Sequence, residues 1–256
     1  MNYTNLYFQS HIFNYNYKPI GAAIFELFHP KSILEFGCGD GNLTRVLQKE
    51  GISITALDGF SQPDFSKFRN ISFHKLDLNN VETVNNFIKT NGKKYDLAIC
   101  MEVAEHLKPE VSENLIEWLA SSADRVIFSA SVTMQGGEGH INCRNRLFWN
   151  DLFEKKSFFL NDVIRKSIRK FPDVGIWYRL NTLVYEKKPE GLTLEDYKSL
   201  TYNLIESDSE ASSLFYKEKE EKERLLKIFE VDIIKLVFNF RNALKRIFGL
   251  SVIKLK

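Results

Sequence analysis

The stretch from Ser32 to Leu47 constrains this chain most. Ser32-Ile33-Leu34-Glu35-Phe36 is an apolar run of the kind that forms a strand buried on both faces. It stops at the glycine-rich turn Gly37-Cys38-Gly39-Asp40-Gly41, and Asn42 to Glu50 then reads as a helix, with Gly51 as its stop. Glycines at such a turn let the backbone approach a ligand at the helix N-terminus, where N–H groups are free. A pyrophosphate-binding G-x-G-x-x-G fingerprint is not met, because Asn42 stands where the third glycine belongs. What the turn carries instead is an acid, Glu35, inside the strand end.

The rest of the chain repeats the alternation of strand and helix. Lys18 to Phe28 has helical apolar spacing and ends at His29-Pro30, so it is expected to cover the sheet edge or a ligand. Ile52 to Leu57 is a second strand ending in Asp58-Gly59. An acid there accepts hydrogen bonds from ribose hydroxyls in nucleotide-binding sheets, although Asp-Gly is also a common turn pair. Ile71 to Leu76 is a third strand and ends in Asp77-Leu78; Asn79-Asn80 behind it leaves a helix-capping role for Asp77 open. A helix from Val81 to Thr90 stops at Asn91-Gly92. The strand Tyr95 to Cys100 then runs into Met101-Glu102-Val103-Ala104-Glu105-His106-Leu107. Val111 to Ser122 is helical and Asp124 to Ser131 is a fifth strand. This order predicts a mostly parallel sheet wound on both faces. A loop follows, Met134 to Arg144, rich in glycine and carrying His140, Asn142 and Arg144; Phe148, Trp149 and Phe153 on the next helix anchor it. Ser157 to Arg169 reads as a strand or short helix. Trp177 to Glu186 reads as a strand, and Phe171 to Gly175 joins the two as an antiparallel hairpin.

Glu35-x-Gly37-x-Gly39-x-Gly41 resembles the first motif of the class I S-adenosylmethionine (SAM)-dependent methyltransferases. The resemblance spans about residues 18–188 and implies a Rossmann-like α/β fold with a seven-stranded, mostly parallel sheet closed by an antiparallel hairpin. It implies SAM as cofactor, whose cationic amino and sulfonium groups give Glu35 a purpose. Gly37, Cys38, Gly39 and Gly41 would form the turn around SAM, and Asp58-Gly59 would meet the ribose. Asp77 would bond the adenine amino group with Leu78 against the ring, Met101 would lie beside the adenine, and Glu102 would open the site. Gly136-Gly137-Glu138-Gly139-His140-Ile141-Asn142 resembles the G-G-x-x-H-x-N loop of many small bacterial methyltransferases, some near sugar and cell-envelope pathways. Its position in a glycine-rich loop after the fifth strand, on the ligand-binding edge of the sheet, makes His140 the expected catalytic base, or else a pin for its loop, with Asn142 and Arg144 binding acceptor hydroxyls or an anionic group. His106 is the second catalytic candidate, or else a brace for its loop. The chain lacks the Asn/Asp-Pro-Pro-aromatic tetrad whose carbonyls hold a planar amino group, which argues against base or amide nitrogen as the acceptor.

Composition narrows the partners. A net charge of +2 in 256 residues gives no global case for nucleic acid. Cys38, Cys100 and Cys143 form no C-x-x-C pair and have no histidine spacing suited to zinc, so they read as reduced thiols in a cytoplasmic protein, and no metal site is expected. No secretory signal or membrane span is expected. Asn5 to Ser10 matches the core of a common tag-removal protease site with Thr4 in place of the usual Glu, and it is assigned no function.

Three segments are expected: residues 1–17, a catalytic domain at 18–188, and a helical extension at 189–256. In the extension, Leu192 to Ile205 is one helix, Lys217 to Arg224 is a solvated charge run, and Leu225 to Leu255 is apolar with basic residues between. That last helix suits packing on its own domain, a homo-oligomer seam, or a peripheral membrane contact. The expected reaction is methyl transfer from SAM to a small molecule, an O-methylation of a saccharide or cell-envelope precursor. The alternative is a SAM- or nucleotide-binding regulatory or scaffold protein without turnover; an NAD-dependent oxidoreductase conflicts with Asn42 and the final hairpin.

Overall fold

The structure is a computed structural model that describes residues 16–133 and 135–187, with 193, 195, 199, 213, 217 and 220 beyond them. Two compact units divide the chain, residues 1–211 and 212–256. The expectations for residues 1–15 and for the helices beyond 189 fall outside the described residues. Among those described, no helix is long and apolar enough to cross a membrane.

Seven strands form one sheet: β1 (Ser32–Phe36), β2 (Ser53–Asp58), β3 (Ile71–Lys75), β4 (Leu97–Met101), β5 (Arg125–Ser129), β6 (Phe158–Asn161) and β7 (Leu183–Lys187). Their order is β3-β2-β1-β4-β5-β7-β6. The first five pair in parallel, and β7 runs antiparallel between β5 and β6. Strand order reverses beside β1, so the ends of β1 and β4 open onto the crevice where ligands bind in such sheets. The helices are α1 (Lys18–Phe28), α2 (Asn42–Leu47), α3 (Val81–Asn91), α4 (Ser112–Ser122), α5 (Arg146–Glu154), α6 (Ile164–Ile168) and α7 (Ile176–Asn181).

The period of two along each strand sorts the core into two layers. Ile33, Ile99, Ile127 and Val184 face a cluster with Ile20 and Ile24 of α1, Leu47 of α2 and Ile168 of α6. Their neighbours Leu34, Phe36, Cys100, Phe128 and Tyr185 face the opposite cluster, with Val84 of α3, Trp118 and Leu119 of α4 and Phe153 of α5. Both faces are therefore covered, as a parallel sheet requires. Local signals set the helix ends. Asn80 accepts from the Thr83 N–H at 3.1 Å, Gly92 closes α3 in the left-handed conformation, and Asn145 accepts from the Phe148 N–H at 2.8 Å to start α5. Asp96 pins β4 beside β1 by accepting from the N–H groups of Lys31 and Ser32 at 2.8 and 2.9 Å. Those two amide bonds, the Lys31 one foremost, hold its carboxyl below the usual aspartate range.

The antiparallel pair β6–β7 closes the sheet as expected, but its bounds and connection differ from the sequence reading. Trp177 to Asn181 is not strand but the helix α7; only Leu183–Lys187 is strand, and α6 and α7 both lie between β6 and β7. The residues carry β propensity, but tertiary contacts override it. Tyr178 packs edge-on against Tyr17, with centroids 5.6 Å apart, and the Leu180 carbonyl at the helix end accepts from Arg146 and Arg165 at 3.0 and 3.1 Å.

Phe153 stacks on Tyr185 with centroids 3.8 Å apart and is fully buried. Phe153→Ala is expected to lower the unfolding free energy by about 3–5 kcal/mol, read by urea denaturation; a loss under about 1 kcal/mol would show that this face of the core is not the principal support.

Candidate active site

At the end of β1 the chain turns through Gly37, Gly39 and Gly41, with φ of +74°, +53° and +77°. Space excludes side chains there as well. A Cβ on Gly37 would lie 2.4 Å from Val103 Cγ2, and one on Gly41 would lie 2.3 Å from Phe65 Cζ. The N–H groups of Gly37 and Cys38 both donate to the Leu57 carbonyl, at 2.8 and 2.9 Å. The turn is thus stitched to the end of β2.

Asp58 completes the stitching. Its Oδ2 accepts from the Gly39 N–H at 2.9 Å, and its Oδ1 accepts from the N–H groups of Phe60 and Ser61 at 2.8 and 2.7 Å. A carboxylate has about four acceptor positions, so one stays open on Oδ2. Gly59 passes so close to the end of β3 that a Cβ there would meet Asp77 Cα at 2.7 Å. Asp77 is exposed, and its Oδ1 accepts from the Asn79 N–H at 2.8 Å, an Asx turn leading into α3. Asn80, not Asp77, is the helix cap.

Glu35 is buried, and the Thr44 hydroxyl of α2 donates to its Oε2 at 2.6 Å. Burial is the main reason that its carboxyl is pushed up to about 7; Thr44 pulls the other way, and the Asp58 charge adds to the rise. Cys38 packs with Ala56 and Phe65, its thiol donating to the Gly39 carbonyl, and burial raises its pKa. Leu78 and Met101 are buried, one in each core layer.

The segment after β4 brings acids and histidines together. Glu102 has a left-handed φ of +54°, its N–H donates to the carbonyl and hydroxyl oxygens of Ser129 at 3.0 and 3.1 Å, and Asn181 donates to its carboxylate at 3.5 Å. Ala104–His106 is a single 3₁₀ turn. It buries Glu105 completely: Ser131 Oγ donates to Oε1 at 3.1 Å, and the Glu102 carboxyl bonds the Glu105 carboxyl as well. Burial first, and then the charge of Glu102, raise the Glu105 carboxyl's pKa well above the usual range.

The loop before α5 folds onto this segment. The Glu105 carbonyl accepts from the N–H groups of Ile141 and Asn142 at 2.9 and 3.0 Å. Gly137, with φ +139°, lets the His140 ring lie on the backbone, where a Cβ would sit 2.3 Å from the ring. His106 and His140 meet edge to face, with centroids 4.7 Å apart. Burial is the main cause of a lowered pKa in both; in His106 it falls to about 4, with His140 adding to the effect. Both rings are thus held toward the neutral form, His106 the further. Cys143 Sγ lies 3.7 Å from His140 Nδ1.

Asn142 was expected among acceptor ligands. Its buried side chain instead donates to the Ala104 carbonyl and Ser112 Oγ at 3.2 and 3.0 Å and accepts from Arg144 Nε at 2.9 Å, so it pins the loop to the domain. Arg144 also lies over the Phe148 ring, 5.0 Å from its centroid. Sequence reading passed over Glu105, although E-x-x-E-H held the signal in the adjacency of acid and imidazole. It also passed over Gln135 and Asn181, whose side chains bond at 2.9 Å; that pairing depends on where α7 ends and has no sequence signal.

A seven-stranded sheet in this order with an antiparallel β7, and a glycine turn backed by a buried acid, define a class I SAM-dependent methyltransferase. The sequence profile of a methyltransferase domain matches residues 8–155, more than half of the chain, and the chain belongs to that family. It is 27% identical over 185 residues to a ubiquinone biosynthesis O-methyltransferase of Rickettsia bellii, covering 68% of this chain and 66% of that protein. It thus spans just under two thirds of such relatives. A namesake from Serratia proteamaculans is 33% identical over 87 residues, 32% of this chain and 34% of that one. Among solved structures, magnesium protoporphyrin IX methyltransferase from Synechocystis with bound S-adenosylhomocysteine superposes with a TM-score of 0.49 at 18% identity, over 67% of this chain and 82% of that one.

Asp58→Ala removes the acceptor of three backbone amides. It is expected to cost roughly 2–5 kcal/mol of unfolding free energy, measured by urea denaturation; an unchanged midpoint would show that water replaces the carboxylate freely.

Proposed function

We propose that this protein transfers the methyl group of SAM to a hydroxyl oxygen of a small molecule, a saccharide or cell-envelope precursor. The observation that carries the reading is the pairing of two half-sites across one crevice. The glycine turn with Glu35 and Asp58 lies at the end of β1 and β2, and the His106–His140 pair lies beyond the end of β4 and β5.

In this reading SAM lies along the Gly37–Gly41 turn. The open acceptor position on Asp58 takes a ribose hydroxyl, Asp77 and the backbone beside Leu78 meet the adenine, and Glu35 faces the cationic end of the cofactor. The acceptor hydroxyl lies on the histidine side. Methyl transfer is an in-line displacement: the oxygen attacks the methyl carbon as the methyl–sulfur bond breaks, and the hydroxyl proton leaves. The protein's main contribution is to hold oxygen and methyl carbon about 3 Å apart. His140 serves as the base that takes the hydroxyl proton, with His106 beside it as the next candidate, and Arg144 at the loop's end offers a cation to an anionic acceptor. Relatives named as ubiquinone biosynthesis O-methyltransferases support oxygen as the methylated atom, and the G-G-x-x-H-x-N loop supports the saccharide or envelope class.

The test is mass spectrometry of hydroxylated acceptors incubated with the full chain and methyl-deuterated SAM. A labelled methyl ether sustains the reading, whereas SAM occupancy without product across these acceptors selects a binding protein without turnover. His140→Ala is expected to lower turnover about 10²–10⁴-fold while leaving SAM affinity within about twofold; near-normal turnover would remove His140 from the chemistry.

Glu35 supplies a pH signature. Its folded-state pKa, raised to about 7 from 4.5, means that stability held at low pH is lost as the pH climbs through 7 and the buried carboxyl ionises. A bound cation favours the ionised form, so SAM affinity is expected to rise about tenfold from pH 6 to pH 8, by calorimetry. In Glu35→Gln the rise should be absent; an identical rise in the variant would assign it to another group.

A further inference from the structure

The entry of α1 is strapped onto the insertion between β6 and β7. The Asn16 N–H donates to the Asp173 carbonyl at 3.1 Å, and Asn16 Nδ2 donates to Asp173 Oδ2 at 2.6 Å. Tyr17 then meets Tyr178 of α7: the hydroxyls lie 3.3 Å apart and the rings pack edge to face. Neither hydroxyl has another hydrogen-bond partner among the described residues. Tyr178 is buried and has no other acceptor, so its proton goes to the Tyr17 oxygen. That bond and the ring packing together fix the plane of the half-buried Tyr17 ring.

The place where the ring is held matters. Tyr17 packs against the core layer that contains Leu43 of α2, behind the glycine turn, and Met101 at the end of β4. Burial first, and then the charges of Glu35 and Glu102, raise its pKa against the pull of the Tyr178 bond, so both carboxyls lie within electrostatic reach of its hydroxyl. Asn181, one turn after Tyr178 on α7, donates to Glu102 Oε1 at 3.5 Å and ties the helix to the same place. Glu35 backs the glycine turn, and Glu102 closes β4. A methyl group passing from a cofactor on the turn to an acceptor beyond β4 starts between these two acids. The sulfonium that carries it is a cation, and the negative face of an aromatic ring attracts a ligand cation within about 6 Å of its centre.

We infer that the Tyr17 ring contacts the sulfonium end of SAM, held there by Tyr178 as a positioning residue, and that this contact makes the site prefer charged SAM to neutral S-adenosylhomocysteine. The inference rests on SAM lying along the Gly37–Gly41 turn, as proposed above. Its consequence is directional. The ring retains the cofactor before transfer and loses its hold afterwards, because the sulfur keeps the electron pair of the broken bond and becomes a neutral thioether.

Calorimetry of the full chain with SAM and with S-adenosylhomocysteine separates this contact from a structural role, since a loosened fold weakens both ligands alike. Tyr17→Leu is expected to lose about tenfold in SAM affinity and less than about twofold in S-adenosylhomocysteine affinity. Tyr17→Phe and Tyr178→Phe remove the same hydroxyl bond and keep both rings, so each is expected to lower the ratio of the two affinities by about threefold. A Tyr17→Leu protein that binds both ligands with the wild-type ratio overturns the inference, as does a Tyr17→Phe protein that loses as much of the ratio as Tyr17→Leu. If Tyr17→Leu binds neither ligand, the two phenylalanine variants decide, and an unmoved ratio in both overturns the inference. Asp58→Asn is the control for the placement of the cofactor and is expected to weaken both ligands alike. Wild-type binding of both by that variant fails the placement along the turn, whereas their equal loss there, with an unmoved ratio in the tyrosine variants, fails the Tyr17 contact alone.

Discussion

The carboxylate of Asp58 is the joint on which the cofactor half of the molecule depends. Three amide donors converge on it from the glycine turn and from the loop after β2. Without that acceptor the turn has no reason to hold three left-handed glycines in sequence, since each is an entropic cost in an isolated chain. The charge of one side chain thus fixes a backbone shape that β1 and β2 merely bring within reach. The same tie sets where Gly59 passes Asp77, so the ends of β1, β2 and β3 form one continuous rim.

Beyond the end of β4 the problem is different, because the chain gathers acids where water is scarce. Glu102 and Glu105 are both raised toward their neutral forms, burial being the leading cause in each. Arg146 acts on Glu102 from α5, where it is itself buried and donates to the Leu180 carbonyl and to Asn181 Oδ1. Glu105 has no such neighbour among the ion pairs described, and two imidazoles held toward the neutral form stand beside it. Buried titratable groups gathered in this way are the environment in which functional sites are found. Asn142 shows the support this requires, since a buried amide is spent on holding the loop against residues 104–112.

Much of this architecture was legible before any coordinates. The apolar run to Phe36, the glycines at 37, 39 and 41, and the acid at Asp58 are local and short, and their meaning follows from backbone sterics and from strand–turn–helix order. The Asn79-Asn80 pair and Asn91-Gly92 announce the ends of α3 for the same reason: caps act over three or four residues. The reading of Trp177 to Asn181 failed because that segment's conformation is settled by Tyr17 and by the arginines of α5 and α6, which lie far off in sequence.

The sequence by itself determined a parallel, doubly wound sheet with a cofactor turn at its centre, because hydrophobic period and glycine placement are properties of neighbouring residues. Only the tertiary structure decided which polar side chains are spent inside the protein and which remain for chemistry. Asn142 and Asp77 looked alike in sequence as ligand contacts, yet one is buried in loop-pinning bonds and the other stands exposed at the rim. Glu105 drew no reading from the sequence, and its burial beside His106 and His140 gives it a meaning there. Solvation is the reason: a carboxylate's chemistry depends on what surrounds it, and residues 105 and 140 become surroundings for one another only when two loops close over the same edge of the sheet.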